Sequence, residues 1–434
     1  MNKFAASLGL IALGTTALHA VEATALNPMQ RSKPWSVAAS LRGFYDDNIN
    51  LSSTKVDSFG YEISPSVDVG LAGEQTSFNL GYQLNARYFE TRPTGQLDKW
   101  NLTHIFEGMF NHKFSPNVSM SANDSFAIGN EPDTLRTINP SQPNSTFQYL
   151  TGNNIINYGA IDFNIEASEL LGFNVGYNNG YYNYADDGGG ATPIQLALNP
   201  STAGLLNRIE NRFNIDSQWK LQPETMGIFG YMYGQNLYTG DQPIGIGLTS
   251  SDRDSRSQTF YVGAQHAFAP TVSGLIKVGA QYTDYYGNPA TQSEWTPYVV
   301  ADLKYQYRTT TSMDFGFSYS RSAADLAAFG VATANNLVAD TGVILLYGSV
   351  SQKLLEDLTL SGRTTVQNGK YNGGGPGVND ETYLFFQLGF DLTYQFTPNF
   401  SAHAGYVFDN YSTDVATQVD YNRNRVFIGV TAGY

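Results

Sequence analysis

Residues 78–88 read Phe-Asn-Leu-Gly-Tyr-Gln-Leu-Asn-Ala-Arg-Tyr, and the alternation in this stretch decides the fold. Apolar and aromatic side chains occupy every second position. The positions between them are Asn79, Gly81, Gln83, Asn85 and Arg87. Successive side chains of a β-strand point to opposite faces of the sheet. The stretch therefore predicts a strand with one apolar face and one hydrophilic face.

The same alternation recurs along the chain, for example at 209–221, 295–308 and 384–396. These segments reach roughly 12–15 residues, whereas strands of soluble proteins usually have about 5–6. A tilted strand that crosses a bilayer and projects beyond it has the observed length. The pattern weakens near 118–128 and 341–353, where strands are still expected.

The connections between these segments are alternately short and long. Short ones share an aromatic or apolar residue two positions before Pro, at 114–117, 221–224, 268–271 and 396–399. Long ones are rich in Gly, Asn, Asp, Ser and Pro, and they lie at 46–58, 129–153, 185–204, 240–254, 322–340 and 372–380. This rhythm predicts an all-β fold, a transmembrane antiparallel up-and-down β-barrel of about 18 strands. Short periplasmic turns and both chain ends would lie at one rim, and long extracellular loops at the other.

The beginning of the chain has the features of a secretory signal peptide. Met1-Asn2-Lys3 is a short basic start, and residues 4–20 form an apolar run rich in small residues. Cleavage after 23 or after 25 is consistent with the small residues there, so we assign 1–25 to the signal peptide and 26–434 to the barrel. A membrane-anchoring helix is the alternative. No stretch of 18 apolar residues follows residue 25, which argues against a helical membrane protein.

The end of the chain has one apolar face that closes on a terminal aromatic residue. This face consists of Val426, Ile428, Val430, Ala432 and Tyr434. Barrels of bacterial outer membranes typically end in this way, so Tyr434 is predicted to be part of a signal for the barrel-assembly machinery. The final strand of any other β-protein is the alternative.

Composition supports a surface that faces lipid. Of 434 residues 14% are charged and 14% aromatic, whereas a soluble domain has about 25% charged residues. The absence of Cys excludes disulfides, Cys-based zinc sites and thiol nucleophiles. A net charge of −14 argues against a nucleic-acid partner, because no basic stripe exists to replace counterions.

Sorting the strand charges by face predicts a lumen of mixed charge, close to neutral. The candidate lumen-facing charges are Arg87, Glu107, Arg208, Glu210, Arg212, Asp216, Asp302, Lys304, Arg308, Arg363 and Asp391. They would either form a transverse field that orients solutes or pair with one another inside the barrel. The loop at 129–153 would be the third connection along the chain at the long-loop rim, and Glu131, Asp133 and Arg136 are candidate constriction charges if it folds inward.

The acidic excess lies mostly in the loops. An acidic outer rim would share divalent cations with anionic surface glycolipid, or the loops are simply solvated. Outer-membrane lipid and this glycolipid are therefore the expected surroundings.

Residues suited to catalysis or to a resident cofactor are few. His104, His112 and His266 fall on the apolar face, and His403 points inward without a paired nucleophile at the outer rim. The glycine runs at 188–190 and 373–377 lack the context of a phosphate loop. We therefore expect no enzyme, no metal site and no cofactor.

The first hairpin has a distinctive stretch at 43–51, which reads Gly-Phe-Tyr-Asp-Asp-Asn-Ile-Asn-Leu and is followed by Asp57 and a strand at 61–71. It resembles the opening of the putative β-barrel porin 2 family of bacterial outer-membrane proteins, carried by Tyr45, Asp46, Asp47 and Asn48. The resemblance implies an outer-membrane channel, for a saccharide polymer or its fragments, and no catalytic residues.

Three functions remain open at this stage. The first is a porin-like channel for passive passage of small polar or saccharide solutes. The second is an exopolysaccharide export duct, which the inward Tyr261, Tyr285 and Tyr298 leave possible for a neutral polymer. The third is a structural or adhesive barrel whose loops plug the lumen. The oligomeric state stays open.

Overall fold

The computed structural model describes residues 34–92, 98–129, 153–307, 310–328 and 330–434. The predicted signal peptide, the constriction-loop charges Glu131, Asp133 and Arg136, and the lumen charge Arg308 lie outside these ranges, and these predictions stay untested. The strands in chain order are β1 (Trp35–Asp46), β2 (Ser58–Ala72), β3 (Thr76–Phe89), β4 (Trp100–Ser115), β5 (Val118–Gly129), β6 (Asn154–Glu166), β7 (Leu171–Tyr184), β8 (Arg208–Gln222), β9 (Thr225–Tyr238), β10 (Pro243–Gly245), β11 (Leu248–Thr249), β12 (Ser255–Ala269), β13 (Val272–Asp284), β14 (Glu294–Tyr307), β15 (Thr311–Ser322), β16 (Val338–Leu355), β17 (Leu358–Gly373), β18 (Thr382–Thr397), β19 (Phe400–Thr413) and β20 (Tyr421–Gly433).

All long strands belong to one 18-stranded antiparallel sheet that closes on itself. Each long strand pairs with its neighbours along the chain, and β9 pairs with β12 across the small β10–β11 hairpin. β1 pairs with β2 on one side and with β20 on the other, from Ala38 opposite Gly433 to Asp46 opposite Arg425. The predicted up-and-down barrel of about 18 strands is confirmed.

The alternation of the sequence becomes an outer and an inner face. On β1 the apolar Val37 and Leu41 are exposed, whereas Ser40 and Arg42, at the alternate positions of the strand, are buried. The aromatic residues before the Pro-containing turns, Phe114, Phe268 and Phe396, are exposed on the outside as well. An outer apolar band with aromatic residues near the rim is the surface that a bilayer requires.

Short turns gather at one rim and long loops at the other. The short-turn rim includes 73–75, 116–117, 223–224, 270–271 and 398–399, and it also holds the β1 end near residue 35. The described residues of the predicted long loops lie at the opposite rim, which faces the outside in bacterial barrels. Three further connections on that rim, 90–99, 285–293 and 414–420, were not anticipated from composition.

Two of the long loops carry small elements of their own. Loop 185–207 contains the helices α1 (Pro193–Leu198) and α2 (Thr202–Leu206). α1 begins with a capping box, in which Thr192 and Gln195 satisfy each other's backbone N–H groups, and with Pro at its first position. Loop 239–254 contains the β10–β11 hairpin and a 3-10 turn at Ser250–Arg253. Among the residues described, no helix has the length and apolar character needed to cross a membrane.

Candidate functional site

The inner surface of the barrel has two different walls. Strands β1 to β8 place mainly Ser and Asn residues inward, among them Ser36, Ser40, Ser64, Asn85 and Asn101. Strands β9 to β14 add an apolar patch to the inner face, with Ile228, Tyr261 and Tyr298 buried and Met232, Leu275 and Val300 packed against them. Polar residues of the same strands, such as Thr259 and Gln281, are also buried on this face, so the patch interrupts a wall that is otherwise largely hydrophilic.

Two predicted lumen charges are held to the wall by tyrosines. Tyr261 on β12 reaches across Gly230 on β9 and donates a hydrogen bond to Asp216 on β8. Lys277 also contacts Asp216, with its Nζ 2.7 Å from Oδ2. These bonds leave Asp216 almost fully buried, so it is part of the wall and is not a free charge in the pore.

The same three-strand arrangement occurs a second time. Tyr347 on β16 crosses Gly316 on β15 and donates to Asp302 on β14. A side chain on either of the two crossed glycines would overlap the tyrosine ring. The sequence placed these aspartates on the inner face, but it gave no sign of which tyrosine covers them.

Several other predicted charges also have partners in the wall. Arg208 Nε donates to Glu210 Oε1 at 2.7 Å, and both side chains are buried. Arg87 forms an ion pair with Glu62, which also pairs with Arg42. Asp391 accepts from Thr393 Oγ1 at 2.7 Å. Arg208 with Glu210 and Arg87 with Glu62 are thus paired inside the barrel, and a role of these charges in orienting solutes stays a prediction.

Three predicted charges lie farther along the wall. Lys304 on β14 is opposite Asp314 on β15. Glu107 is opposite Gly81, and the Arg363 side chain lies beside Gly389. A role of these three residues in transport stays a prediction.

Arg212 forms a looser contact than the other paired charges, an ion pair with Glu210 that is not a hydrogen bond. Its nearest carboxylate oxygen is Glu210 Oε2, 3.8 Å from Nη2, which is beyond hydrogen-bond distance. The side chain borders a small cavity of about 20 Å³, which also contacts Ser257, Gln281 and Tyr298. A cavity of this size holds about one water molecule.

The outer mouth of the barrel is narrowed by loops that pack against the inner wall. Loops 185–207, 239–254 and 323–337 share one buried apolar cluster with the upper ends of β7, composed of Tyr182, Tyr184, Leu205, Leu206, Ile244, Leu248, Ala327, Ala328, Ala332 and Leu337. Arg253 joins the three loops, because its guanidinium donates to Leu205 O at 2.9 Å and to Ala324 O at 2.5 Å. Its side chain is 2% exposed.

Loop 323–337 extends across the mouth to the strands that follow it. On one side Ile246 N donates to Ala332 O at 2.9 Å. On the other side Tyr371 on β17 donates to Asp325 Oδ1 at 2.7 Å. A second apolar cluster forms there, of Ala324, Val338, Tyr371, Val378, Tyr383, Phe385, Tyr411, Val415 and Tyr421. The sequence pointed to the third loop as the constriction, whereas the described residues that fill the mouth come from later loops.

The residues that carried the family resemblance close the barrel and do not line a solute path. Arg423 Nε contacts Asp46 Oδ1 and Oδ2 at 3.0 and 2.8 Å. Asn424 donates to Asp47 from its backbone at 2.6 Å and from its side chain at 2.7 Å. Asn48 Nδ2 donates to Asn422 O at 2.8 Å. We call these pairs, which join the top of β1 to β20, the seam clasp. Tyr45 lies beside the seam clasp, and its hydroxyl oxygen is 3.5 Å from Asp57 Oδ2.

The histidines take the faces that the alternation indicated. His104, His112 and His266 each contact a hydroxyl group on the outer face, of Tyr82, Thr76 and Thr225 respectively. His403 is buried on the inner face near Phe427. Within the described ranges no three His, Asp or Glu side chains are grouped in a way that suits a metal ion. That no cofactor is needed stays a prediction.

Comparison with known proteins supports a channel. The profile of the family Putative beta-barrel porin 2 matches residues 241–434. The resemblance suspected from the first hairpin is thus confirmed, through the second part of the chain. A porin family is a family of channels, and the match supports a porin-like channel in the outer membrane. None of the curated proteins matches the sequence.

Solved structures with a similar fold include outer-membrane proteins of two bacteria. OpdK of Pseudomonas aeruginosa, solved with vanillate, has a TM-score of 0.45 and 10% identity, with 92% of this chain and 99% of that chain covered. OccAB4 of Acinetobacter baumannii has a TM-score of 0.44 and 10% identity, with 93% and 99% covered. At these values the likeness says nothing about a solute.

Proposed function

We propose that this protein is an outer-membrane channel for the passive passage of small polar or saccharide solutes, with an outer mouth controlled by its loops. The observation that carries the proposal is a closed ring of 18 strands whose inner face is hydrophilic along β1 to β8. A lumen lined by Ser and Asn supplies donors and acceptors that replace those of water. The barrel would be exported by a cleaved signal peptide and would need no catalytic group.

A barrel whose loops plug the lumen is the second candidate, and the buried clusters at the mouth favour it. Loops that share a core and a buried arginine resist displacement more than solvated loops do. An export duct with an aromatic track has less support, because Tyr261, Tyr285 and Tyr298 are each 6% exposed or less. A sliding polymer needs ring faces that it can touch.

Planar-bilayer recordings of the refolded mature chain separate the two candidates. We expect ohmic steps from the wild type, interrupted by closures. Arg253→Ala removes the hydrogen bonds that join loops 185–207 and 323–337, so this variant should close less often or conduct more. Arg256→Ala is the matched control, because Arg256 pairs with Asp284 on the outer face, where its side chain is 55% exposed.

Silence of both the wild type and Arg253→Ala, with correctly folded protein, would refute the channel and favour the plugged barrel. Steps that are identical in Arg253→Ala and Arg256→Ala would show that the loops do not control the mouth.

A further inference from the structure

A group of hydrogen-bonding side chains lies on the outer face of strands β5 to β8, which is otherwise mainly apolar. Asp124 on β5 alternates with Phe126 and Ile128, and it is exposed. Asn157 Nδ2 on β6 donates to Asp124 Oδ1 at 2.9 Å. On β18, by comparison, every outer position between 384 and 392 is Leu or Phe. The name outer polar patch is used below for Asp124, Asn157, Tyr177, Asn179 and Asn211.

The second part of the outer polar patch is a hydrogen-bonded group on β7 and β8. Tyr177 is 42% exposed and lies opposite the outward Phe213. Its hydroxyl donates to Asn211 Oδ1 at 2.8 Å, and Asn179 Nδ2 donates to the same oxygen at 2.9 Å. In contrast, Asp124 Oδ2 accepts no hydrogen bond from any residue in the described ranges. The patch therefore holds an acceptor that its own chain leaves unused.

Asp124 lies at the depth of the hydrocarbon core. It is opposite Gly108 on β4, and on that strand the exposed Phe114 lies near the short-turn end and the exposed Trp100 at the other end. A rise of about 3.3 Å per residue and a tilt of about 40° put Asp124 roughly 15 Å above Phe114, within an apolar band about 25 Å tall. The carboxyl group is thus far from both membrane surfaces.

The neighbours of Asp124 leave its carboxyl group uncovered. Gly108 on β4 and Gly159 on β6 lie directly opposite it, and neither has a side chain that could shield it. Lipid tails cannot form hydrogen bonds, and a charged group on the lipid face of a barrel is most destabilising near the middle of the membrane. Ionisable residues at this depth usually contact other protein. Glycines on both sides also let another polypeptide approach closely.

Two copies side by side in one membrane would make the outer polar patch its own complement. Because the strands are tilted, a row of mutually opposite residues climbs from Trp35 near the short-turn rim to Arg256 near the outer rim. Asp124 and Asn179 belong to this row, so Tyr177, the next outward residue below Asn179, lies at about the height of Asp124. A twofold axis along the membrane normal, between β5 and β7, would bring Asp124 of each copy to Tyr177 of the other, as an isologous contact requires.

We propose that strands β5 to β8 form the contact surface of a homodimer, in which Asp124 of each copy accepts a hydrogen bond from Tyr177 of the other. The Tyr177 hydroxyl can rotate away from Asn211, and a carboxylate is a stronger acceptor than an amide. Asn157 keeps its bond to Asp124 Oδ1, so both carboxyl oxygens are then satisfied. The inference concerns the association of barrels and does not depend on whether the lumen conducts.

Cysteine cross-linking of the refolded chain in lipid vesicles tests this contact. The chain has no Cys, so a disulfide in a single-cysteine variant can only join two copies. Ile161 is 42% exposed on β6, between β5 and β7, and Ile161→Cys would lie close to the twofold axis. Leu346→Cys is the matched control, because Leu346 is 46% exposed on β16, across the ring from β6. We expect Ile161→Cys to cross-link at least about tenfold faster than Leu346→Cys, since neighbours held in contact have a higher effective concentration than colliding ones.

Substitutions in the outer polar patch show whether its hydrogen bond holds the two copies together. In the Ile161→Cys background, Asp124→Leu and Tyr177→Phe should each slow the cross-linking to the rate of Leu346→Cys. Asp124→Asn keeps an acceptor oxygen and should keep most of the cross-linking. Tyr305→Phe is the control, because it removes a hydroxyl group from an outward tyrosine on β14. Heat-modifiable migration on gels verifies that each variant is folded.

Each outcome decides for or against the homodimer. Equal cross-linking of Ile161→Cys and Leu346→Cys would overturn it and leave lipid or a different polypeptide to cover Asp124. Unchanged cross-linking in both Asp124→Leu and Tyr177→Phe would overturn it as well, because the contact would not depend on the patch. Folded protein that cross-links as expected but never conducts would refute the proposed channel and leave the homodimer standing.

Discussion

The tyrosines of the inner wall show how single residues decide which charges the lumen presents. Tyr347 lies flat across Gly316 and reaches Asp302 two strands away. The ring covers the backbone of the middle strand, and the hydroxyl satisfies a carboxylate that would otherwise be desolvated without a partner. Glycine is required at the crossing because any side chain there would overlap the ring.

Gly316→Ala is predicted to destabilise the folded barrel. The added methyl group would overlap the Tyr347 ring, and overpacking of this kind costs about 1–3 kcal/mol. We expect the temperature at which the folded form is lost on gels to fall. Gly43→Ala is the control, because nothing lies within 4 Å of a Cβ at that position. If Gly316→Ala and Gly43→Ala lost the folded form at the same temperature, the close contact between the Tyr347 ring and Gly316 would be contradicted.

The geometry of a strand explains which features of these residues could be predicted from the sequence. Alternation assigns Asp216, Asp302 and Arg212 to the inner face, and the structure places them there. It does not say which side chain of another strand covers each one, because that depends on register across strands distant in the chain. For this reason the tyrosine partners of Asp216 and Asp302 could not be predicted from the sequence.

At the scale of elements, two strands alternate poorly because some of their side chains contact other protein groups instead of lipid or water. On β16 the inward residues Val343 and Leu345 are apolar and buried at the loop-covered end of the barrel, so both faces of the strand look apolar. On β5 the outward Asp124 accepts a hydrogen bond from Asn157 at 2.9 Å, so both faces look partly polar. Periodicity fails where an inward residue packs against a loop, as on β16, and where two polar residues of the outer face bond to each other, as on β5.

The loop that ends in Asp254 is predicted to respond to pH. Burial, opposed by the hydrogen bond from Tyr238 N and supported by the nearby charges of Asp241 and Asp252, raises the pKa of Asp254 to about 6. A raised pKa in the folded loop means that the packed arrangement is favoured at low pH and loses stability as pH rises through about 6.

Closures of the channel should accordingly occupy more time at pH 5 than at pH 7.5. Asp254→Asn keeps the size of the side chain and removes its titration, so this variant should show little change between the two values. Bilayer recordings at both pH values are the measurement. A wild type whose closures do not depend on pH would exclude Asp254 as the responsible group.

At the scale of the whole molecule, one seam determines whether the sheet is a barrel. The seam clasp ties Asp46, Asp47 and Asn48 to the last strand through Arg423, Asn424 and the backbone of Asn422. Resemblance alone drew attention to the Tyr-Asp-Asp-Asn stretch, and strand alternation together with the rhythm of short turns and long loops indicated the closed barrel. Neither revealed that the stretch is what closes it, because the partners lie at opposite ends of the sequence.

Asp46→Ala is predicted to weaken the seam strongly. It leaves the buried guanidinium of Arg423 without its carboxylate, and breaking a buried pair in this way costs about 3–5 kcal/mol. The unfolding temperature of the refolded barrel should fall clearly. Lys55→Ala is the control, because it removes an exposed partner of Asp47 and should change stability by less than about 1 kcal/mol. Similar unfolding temperatures of Asp46→Ala and Lys55→Ala would refute a stabilising role of the seam clasp.

The two halves of the clasp are separated by 377 positions along the chain, and this separation has a consequence in time. Asp46 takes its place when the first hairpin forms, but its partner arrives only with the final strand. Contacts between residues so far apart in sequence form late, because closing the long intervening segment costs conformational entropy until that segment is itself ordered. We therefore expect sealing of the cylinder to be the last step of its assembly, with the free edge of β1 shielded until then by something other than β20.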